Sequence, residues 1–242
     1  MISVVCVYND PEILNKYLLS SLKYQEKSFE LILLDNTQNQ FKSAAQALNH
    51  GAQQATGKYI MFIHQDLQLR SSKWLHDVEA VLESIQKLGV GGVAGRRGHR
   101  TISNMEHGNP PVAAGIYSLN HMEEVQTVDE CLAIIPRKLF DEFQFDAETC
   151  QGWHLYVADY CLVLKNRGCH VYVLPHSTYH LSAGSSFSEN YYQTVGKLRE
   201  KHRKDYKWMY TTAGNWHTIY PLFLQIIYNK TYRLLVKIRS LI

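Results

Sequence analysis

The 242-residue sequence contains no run of about 18 uncharged apolar residues, so we predict no membrane-spanning helix. The chain enters an apolar segment at Ile2 without a preceding basic region, and we therefore predict no secretory signal. Its five cysteines form no CxxC pair and no zinc-finger spacing, which favours free thiols in a reducing compartment. Together these absences indicate an intracellular, cytoplasmic protein.

Several enzyme motifs are also missing. The P-loop, HExxH and GxSxG patterns do not occur. Segment 89–94 reads GVGGVA, but it follows a predicted helix instead of the first strand, so a dinucleotide-dependent oxidoreductase is disfavoured. Hydrophobic residues make up 45% of the chain and charged residues 19%, which is the composition of a globular protein and excludes wholesale disorder.

Charge is distributed unevenly along the chain. Residues 1–195 carry 15 Lys and Arg against 20 Asp and Glu, a net charge of −5, whereas residues 196–242 carry 10 against 2, a net charge of +8. A basic tail on a mildly acidic body predicts a polyanionic partner for the tail. Because the tail contains no recognisable nucleic-acid-binding module, we expect an anionic membrane surface and no nucleic acid.

The first 95 residues alternate between strand and helix patterns. Short β-branched or apolar runs are separated by longer amphipathic segments, and this alternation predicts an α/β fold with a mostly parallel central sheet covered by helices on both faces. Segment 96–125 shows no period, and we predict loops there. The predicted strands are 2–7, 31–34, 59–63, 89–95, 125–136 and 169–174, and the predicted helices are 12–23, 43–55, 74–88, 137–143 and 156–167.

Two aspartates follow predicted strands directly. Asp35 ends the second strand, and Asp66 follows the third by three residues. In open α/β sheets the ligand crevice lies beyond the carboxyl ends of the strands. The pair therefore predicts a binding site at this edge of the sheet, although either aspartate alone is also typical of turn or helix capping.

Three segments carry a family resemblance. Segments 2–10 (ISVVCVYND), 29–37 (FELILLDNT) and 55–66 (ATGKYIMFIHQD) resemble successive strands of family 2 glycosyltransferases with the GT-A fold. The likeness continues through Val128-Asp129, Arg137 and Phe145-Asp146 and covers about residues 2–185. It is nearest to a bacterial glycosyltransferase-like group in which HQD replaces the metal-binding DXD motif.

The resemblance implies a fold, an activity and a domain division. The fold is a single GT-A domain over residues 1–190, with a nucleotide-binding half at 1–95 and an acceptor-binding half at 96–190, followed by a basic helical extension at 191–242. The implied enzyme is an inverting hexosyl- or deoxyhexosyltransferase used in polysaccharide biosynthesis. It moves a sugar from a UDP, dTDP or GDP donor to a hydroxyl of a glycan or lipid-linked glycan.

The resemblance also assigns the nucleotide and metal sites. Asp35 is expected to accept a hydrogen bond from the imide N–H of uracil or thymine, or from guanine, and Tyr8 and Asn9 are expected to line the same pocket. Asp66 is expected to hold Mn²⁺ or Mg²⁺, with His180 and His64, the latter standing where the family has its first aspartate. His176 lies four residues before His180 and is the weaker candidate.

The remaining assignments concern the acceptor. In the family an aspartate that opens a helix deprotonates the acceptor hydroxyl, and Asp159 matches that position, although Ala158 replaces the glutamate before it. Trp153 and His154 are expected to form the floor of the acceptor pocket. Asp129 is expected near the transferred sugar, with Glu130 standing where the family usually has glycine. An aspartate in the first turn of a helix is equally well explained without a catalytic role, because its negative charge interacts favourably with the helix dipole.

The tail and the substitutions leave alternatives open. Segment 220–242 places Ile227, Leu234, Leu235, Ile238, Leu241 and Ile242 on one helical face and Lys230, Arg233 and Lys237 on the other. Such a helix suits peripheral attachment at the inner face of a membrane. It suits packing against the domain or a second subunit, as in a homo-oligomer, equally well. The changes at positions 64 and 158 keep a second function open, a non-catalytic module that binds nucleotide-sugar or glycan on the same fold.

Overall fold

A computed structural model describes residues 1–115, 119–182 and 189–239, with side chains described up to residue 231. The helices are α1 (Pro11–Leu14), continued by a π-helical turn (Asn15–Leu19), α2 (Ser20–Leu22), α3 (Ala44–Ala52), α4 (Trp74–Ser84), α5 (Arg137–Glu142), α6 (Tyr156–Asn166), α7 (Glu189–His202) and α8 (Leu222–Arg239). The strands are β1 (Ile2–Tyr8), β2 (Glu30–Asp35), β3 (Tyr59–Ile63), β4 (Leu67–Leu69), β5 (Leu88–Gly92), β6 (Ala94–Arg97), β7 (Arg100–Ser103), β8 (Met105–His107), β9 (Val112–Ala113), β10 (Glu123–Glu124), β11 (Thr127–Val128), β12 (Leu132–Pro136), β13 (His170–Val173), β14 (Thr178–His180), β15 (Trp208–Thr211) and β16 (Gly214–His217).

The main sheet of the described residues has seven strands in the order β10-β13-β5-β12-β3-β1-β2. Strands β2, β1 and β3 are parallel, β12 is antiparallel to both of its neighbours, and β13 is parallel to β5. Five strands therefore point the same way, and only β12 and the short edge strand β10 run opposite. This confirms the predicted α/β fold with a mostly parallel central sheet.

The sheet separates two hydrophobic cores. Because side chains alternate along a strand, Val5 of β1 enters one core while Val4 and Cys6 enter the other. Helices α3 and α6 cover the first core, and α1, α2 and α4 cover the second. The buried, nearly uninterrupted apolar runs of β1 and β3 follow from this arrangement, since both faces of these strands are covered.

Helix α3 needs a glycine where it crosses β1 and β2. A Cβ at Gly51 would lie 2.7 Å from Val5 Cγ1 and 2.8 Å from Leu34 Cδ1. The side chain of Ser43 starts this helix by accepting a hydrogen bond from the backbone N–H of Gln46. Gly51 therefore allows α3 to pack closely on β1 and β2, and Ser43 determines where the helix begins.

Segment 96–125 carries more regular structure than its sequence suggests. We predicted loops there, but β6 pairs with β7, and β8 pairs with β9, in short antiparallel ladders. Strand β8 also lies parallel to β14. Strands this short cannot be predicted from the sequence pattern, because two to four residues are too few to show the alternation of apolar and polar side chains.

The first core continues beyond residue 190. Tyr191, Val195 and Leu198 of α7 are buried in it, and so are Met209 of β15 and Trp216 of β16. The basic helix α7 is also tied to α6 by charge. Lys201 Nζ and His202 Nε2 each lie 2.7 Å from a carboxylate oxygen of Asp159. The predicted division at residue 190 therefore crosses a continuous core.

Replacing Asp159 by asparagine is expected to destabilise the fold by about 3–5 kcal/mol, because it leaves Lys201 and His202 beside a neutral amide in a buried cluster. The side chain of Asp159 is 3% exposed. Urea unfolding of Asp159→Asn measures the loss. Glu200→Gln is the control, since Glu200 is exposed and pairs with Arg203 at the surface, and loss of such a pair should leave the midpoint unchanged. Equal midpoints for the wild type and Asp159→Asn would contradict the packing role.

Much of the positive charge of α7 is used inside the molecule. Lys201 also pairs with Asp146 at 2.7 Å. Arg199 donates to the backbone carbonyls of His217 at 2.8 Å and Thr218 at 3.1 Å. Lys201 and Arg199 thus attach α7 to the rest of the domain. If the tail binds a polyanionic partner, its other basic residues are the ones that would contact it.

Helix α8 leaves large apolar side chains exposed. Its inner face packs through Leu222 and Ile226 against the first core, while Phe223 and Ile227 on the outer face are 62% and 58% exposed. The part of the predicted apolar helical face that begins at Leu234 lies beyond the last described side chain, at residue 231. No helix among the described residues has the length and apolarity needed to cross a bilayer.

Candidate functional site

A cavity of about 500 Å³ opens at the carboxyl ends of β1 and β3. This is the edge of the sheet at which the sequence predicts a site. Eight of the ten predicted site residues line it: Tyr8, Asn9, His64, Asp66, Asp129, Trp153, His154 and His180. Asp35 and Asp159 do not. The volume is within the range usual for pockets that bind small ligands.

Two histidines and an aspartate meet at the base of this cavity. His64, Asp66 and His180 bring one ligand atom each to within 4.8 Å of one another. His180 Nε2 lies 3.1 Å from Asp66 Oδ1, and the rings of His64 and His180 are 5.5 Å apart between centroids. The three predicted metal ligands, separated by up to 116 positions in the chain, are therefore brought together, and we call them the HDH cluster.

Pairing between short strands assembles the cluster. Strand β14 lies antiparallel to β4, with His180 opposite Leu67, and this register brings His180 beside Asp66. The backbone N–H of Leu181 donates to the Asp66 carbonyl at 3.1 Å, and the N–H of Ser182 donates to Asp66 Oδ2 at 3.1 Å. His176, the weaker candidate, packs against Trp74 instead, outside the cavity lining.

The protonation states of the cluster differ. Burial, and then the nearby positive charge of His180, lowers the pKa of His64 to about 4, so its imidazole is neutral at physiological pH. Burial also acts against a charged His180, but the hydrogen bond and charge of Asp66 raise the pKa of His180. Burial would raise the pKa of Asp66, yet the hydrogen bond and charge of His180 lower it. Asp66 is consequently an ionised carboxylate with a polarised imidazole beside it.

Gln65, between His64 and Asp66, holds the loop after β1. Its side-chain oxygen accepts hydrogen bonds from the backbone N–H groups of Asn9 at 2.9 Å and Asp10 at 3.0 Å, and its amide donates to Asn9 Oδ1 at 2.7 Å. Sequence reasoning missed this role. The middle residue of an acidic motif gives no pattern from which a contact with a segment 56 residues away could be inferred.

Asp35 lies next to the cavity, at its rim. It is the register partner of Tyr8 across β1 and β2, and its Oδ1 accepts a hydrogen bond from the backbone N–H of Thr37 at 2.8 Å. That bond lowers the pKa of Asp35. Tyr8, whose pKa is raised by burial and by Asp35, lines the cavity itself, together with Asn36 and Asn39. The predicted nucleotide-binding residues are thus grouped, with Tyr8 between Asp35 and the cavity.

Glu130 and His154 form a pair on the opposite wall. His154 Nδ1 lies 2.7 Å from Glu130 Oε1, and Glu130 Oε2 accepts the backbone N–H of Leu155 at 2.6 Å. Leu155 has φ of 73°, a left-handed conformation that costs a branched residue of order 1–3 kcal/mol. Glu130 holds this strained turn in place and thereby sets the direction of His154 and Trp153 in the cavity. Burial raises the pKa of Glu130.

Asp129 and the C-terminal hairpin close the same wall. Asp129 Oδ1 accepts the backbone N–H of Cys131 at 2.9 Å, and hydrogen bonds including one from the Thr212 side chain lower its pKa against the effect of burial. Thr212 and Ala213 come from the turn between β15 and β16. Sequence reasoning assigned that segment to the extension, and nothing in its local pattern indicates that it reaches the cavity.

Asp159, predicted as the general base, lies elsewhere. Its side chain is 3% exposed and is held by Lys201 and His202 between α6 and α7. The carboxylate is enclosed between these two helices and is not part of the cavity lining.

The chain matches a known family over most of its length. A family model described as "Glycosyltransferase like family" matches residues 3–207. A curated protein from Fuscovulum blasticum, "ATP synthase subunits region ORF 6", is 25% identical over 155 residues, which are 61% of this chain and 61% of that protein.

Solved glycosyltransferase structures share the fold. S. aureus TarS 1–349 in complex with UDP-GlcNAc superposes with a TM-score of 0.59 at 16% identity, over 83% of this chain and 66% of that one. Mannosyltransferase PcManGT from Pyrobaculum calidifontis in complex with GDP-Man and Mn²⁺ gives 0.57 at 12% identity, over 85% and 65%. GalNAc-T7 with UDP, GalNAc and Mn²⁺ gives 0.61 at 14% identity, over 82% and 47%. The chain thus spans less than two thirds of each of these relatives, and at these identities the likeness shows the GT-A fold.

Proposed function

The chain belongs to the glycosyltransferase-like family, and from this premise we propose that it transfers a hexose or deoxyhexose from a nucleoside-diphosphate donor to a hydroxyl of a glycan, with inversion at the anomeric carbon. One observation supports the proposal most strongly. The cavity at the carboxyl ends of the strands is lined by Tyr8 and Asn9, by the HDH cluster and by the Glu130–His154 pair. Solved structures with the same fold contain UDP or GDP-sugars, and two of them contain Mn²⁺.

The HDH cluster is chemically suited to a divalent cation. It offers one ionised carboxylate and two imidazoles, one of which is neutral because of burial. Imidazole nitrogen is a poor ligand for Mg²⁺ and a good one for transition metals, so the donor set favours Mn²⁺. When bound by His64, Asp66 and His180, such an ion supplies the positive charge that a diphosphate leaving group requires.

The chain's own residues account for the other requirements of the transfer. The acceptor hydroxyl oxygen forms a bond to the anomeric carbon while the bond from that carbon to the diphosphate oxygen breaks, and the nucleoside diphosphate leaves with the bonding electron pair. His154 accepts the hydroxyl proton, and Glu130 orients the imidazole and stabilises its protonated form. Asp129 lines the same cavity, and we expect it to accept a hydrogen bond from a hydroxyl of the transferred sugar.

Asp35 is proposed to select the base from the rim. A carboxylate there accepts the imide N–H of uracil or thymine, or the N1–H of guanine, and it disfavours adenine and cytosine, whose corresponding ring nitrogen is an acceptor. We expect Asp35→Ala to weaken binding of the preferred nucleoside diphosphate about tenfold, since a hydrogen bond to a charged group contributes about 1.5–3 kcal/mol. Calorimetry on UDP, dTDP and GDP measures this. Glu30→Gln, at the far end of β2, is the control, and equal affinities for Asp35→Ala and wild type would contradict the assignment.

One assay distinguishes sugar transfer from donor binding without transfer. The protein is incubated with radiolabelled donors and a mixture of oligosaccharides, and both free nucleoside diphosphate and labelled glycan are measured. Release of nucleotide with formation of labelled glycan supports the transferase. Donor binding without release of nucleotide would contradict it and would support the alternative, a nucleotide-sugar-binding module.

The outer face of α8 is proposed to attach the protein to an anionic membrane surface. Ile219, Phe223 and Ile227, none of which lines either described cavity, are all more than half exposed. This apolar face lies in a segment, 219–242, that contains four Lys and Arg residues and no acidic residue. Apolar side chains beside cations are typical of helices that lie in the interface of an anionic bilayer. A lipid-linked glycan on that surface would then be the acceptor.

We expect Phe223→Ser/Ile227→Ser to reduce binding to vesicles of mixed neutral and anionic phospholipid about tenfold or more, because two large side chains no longer enter the bilayer. Both residues are exposed, so the fold should be retained. Truncation at residue 212 would be a poor test, since it removes Trp216 from the core. Tyr24→Ser, exposed on another surface, is the control. Sedimentation with vesicles gives the result, and undiminished binding of the double variant, or a dimer that it dissociates, would overturn the membrane proposal.

A further inference from the structure

A second cavity, of about 640 Å³, lies beside the first. The two cavities share Thr212 and Ala213, which form the turn between β15 and β16 and line both. The second cavity is enclosed by this hairpin on one side and by the start of α8 on the other. A ligand in it is therefore separated from the Glu130–His154 wall only by the thickness of one turn.

The lining of the second cavity combines aromatic and planar polar groups. Trp208, Tyr220 and Tyr228 supply aromatic surface, and Asn215 and Asn229 supply amide groups. The amide of Gln225 is bonded to the backbone of His217 and Tyr220 and supports the wall. Sugars present C–H groups on the faces of the ring and hydroxyls around its edge. Aromatic rings pack against the first, and side-chain amides both donate to and accept from the second. This combination is what a carbohydrate-binding site requires.

The two cavities differ in charge. The first contains Asp66, Asp129 and Glu130. Among the described residues that line the second there is no carboxylate, and it contains Arg96 and His99. Arg96 is positioned by its own hydrogen bonds, to Thr101 Oγ1 at 2.8 Å and Asn215 Oδ1 at 3.0 Å. A guanidinium held in this way is a positive charge fixed at the cavity wall, and such a charge suits a carboxylate.

We propose that the second cavity is the acceptor subsite and that it binds a glycan with an acidic sugar, its carboxylate facing Arg96 and its ring packed on Trp208. The inference rests on the proposed function, which it extends by naming the acceptor class. In this arrangement the acceptor chain occupies the second cavity and its terminal hydroxyl reaches past Thr212 and Ala213 to His154.

Tryptophan signals can test the two cavities separately. The chain contains four tryptophans, of which Trp153 lines the first cavity and Trp208 the second. In the ¹⁵N-labelled full chain the indole N–H signals are assigned with Trp153→Phe and Trp208→Phe. UDP, dTDP and GDP are added first, each with Mg²⁺, which is diamagnetic and leaves the signals sharp. A hyaluronan tetrasaccharide, which contains glucuronate, and the neutral chitotetraose are then added at millimolar concentrations.

The expected result is a shift of Trp153 with one nucleotide and a shift of Trp208 with the hyaluronan tetrasaccharide, which binds at least tenfold more tightly than chitotetraose. Arg96→Gln should abolish that difference. Tyr228→Ala should weaken binding of both glycans, whereas Tyr24→Ala, exposed on another surface and outside the cavity lining, should not.

The two proposals fail in different ways. No shift of Trp208 with either glycan overturns the acceptor subsite, whatever Trp153 does. A Trp208 shift equal for both glycans, or unchanged in Arg96→Gln, overturns the selection of an acidic sugar. No response of Trp153 to any nucleotide, with Trp208 still responding, contradicts the proposed transferase and leaves a glycan-binding cavity.

Discussion

Asp66→Asn is expected to lower the rate of sugar transfer about 10³-fold and to remove the dependence of nucleotide binding on Mn²⁺. The expected loss corresponds to the several kcal/mol that charge neutralisation of a diphosphate leaving group contributes. Asparagine has the shape of aspartate but not its charge. The hydrogen bonds from Ser182 and His180 can therefore be retained in part while the ionised oxygen is lost.

The measurement compares initial rates of nucleotide release with and without Mn²⁺. Asp77→Asn, an exposed aspartate on α4 far from the cavity, is the matched control and should have the wild-type rate. His64→Asn and His180→Asn should each weaken the response to Mn²⁺ as well. A rate for Asp66→Asn within threefold of wild type would show that the HDH cluster has no part in the transfer.

His154→Asn is expected to reduce transfer by about 10²–10⁴-fold with little change in nucleotide affinity, since a positioned general base contributes to the transition state of proton transfer and not to donor binding. Glu130→Gln should have a smaller effect of the same kind, because glutamine can still hold the Leu155 N–H but cannot stabilise a protonated imidazole. Separate measurement of kcat and of nucleotide Kd distinguishes both variants from loss of folding.

Asp159→Asn and His154→Asn are expected to differ in which property they impair. If His154 is the base, the folded fraction of Asp159→Asn keeps a kcat near that of wild type, and its defect is in stability. If Asp159→Asn instead lost transfer by about 10²–10⁴-fold with an unchanged urea midpoint, Asp159 would be the base after all, as its position in the sequence suggested. Its burial between Lys201 and His202 makes this outcome unexpected.

The strand-end part of the site was predictable from sequence because it follows directly from the fold. Tyr8 and Asp66 come just after buried apolar strands, and parallel strands bring their carboxyl ends to one edge. His180 was identified from the family resemblance, and its place next to Asp66 depends on a ladder between two three-residue strands, which are too short to recognise in a sequence.

The part that sequence did not reveal depends on tertiary packing. Asp159 has the chain position of a catalytic aspartate, but the basic helix α7 lies across it, and only the folded arrangement shows that Lys201 and His202 occupy it. Glu130 was noted only as a departure from glycine, whereas it holds the strained turn at Leu155. Long-range ion pairs and loop conformations of this kind have no periodic pattern in a sequence.

The most direct test of the account is a calorimetric titration of the full chain with UDP, dTDP and GDP, each with Mn²⁺, with Mg²⁺ and without added metal. ADP and CDP are the controls for base selection. We predict that at least one of the first three nucleotides binds, that Mn²⁺ strengthens its binding more than Mg²⁺ does, and that Asp66→Asn abolishes the enhancement. Binding of none of the five, or binding that is indifferent to metal in both proteins, would contradict a nucleotide-diphosphate site built around the HDH cluster.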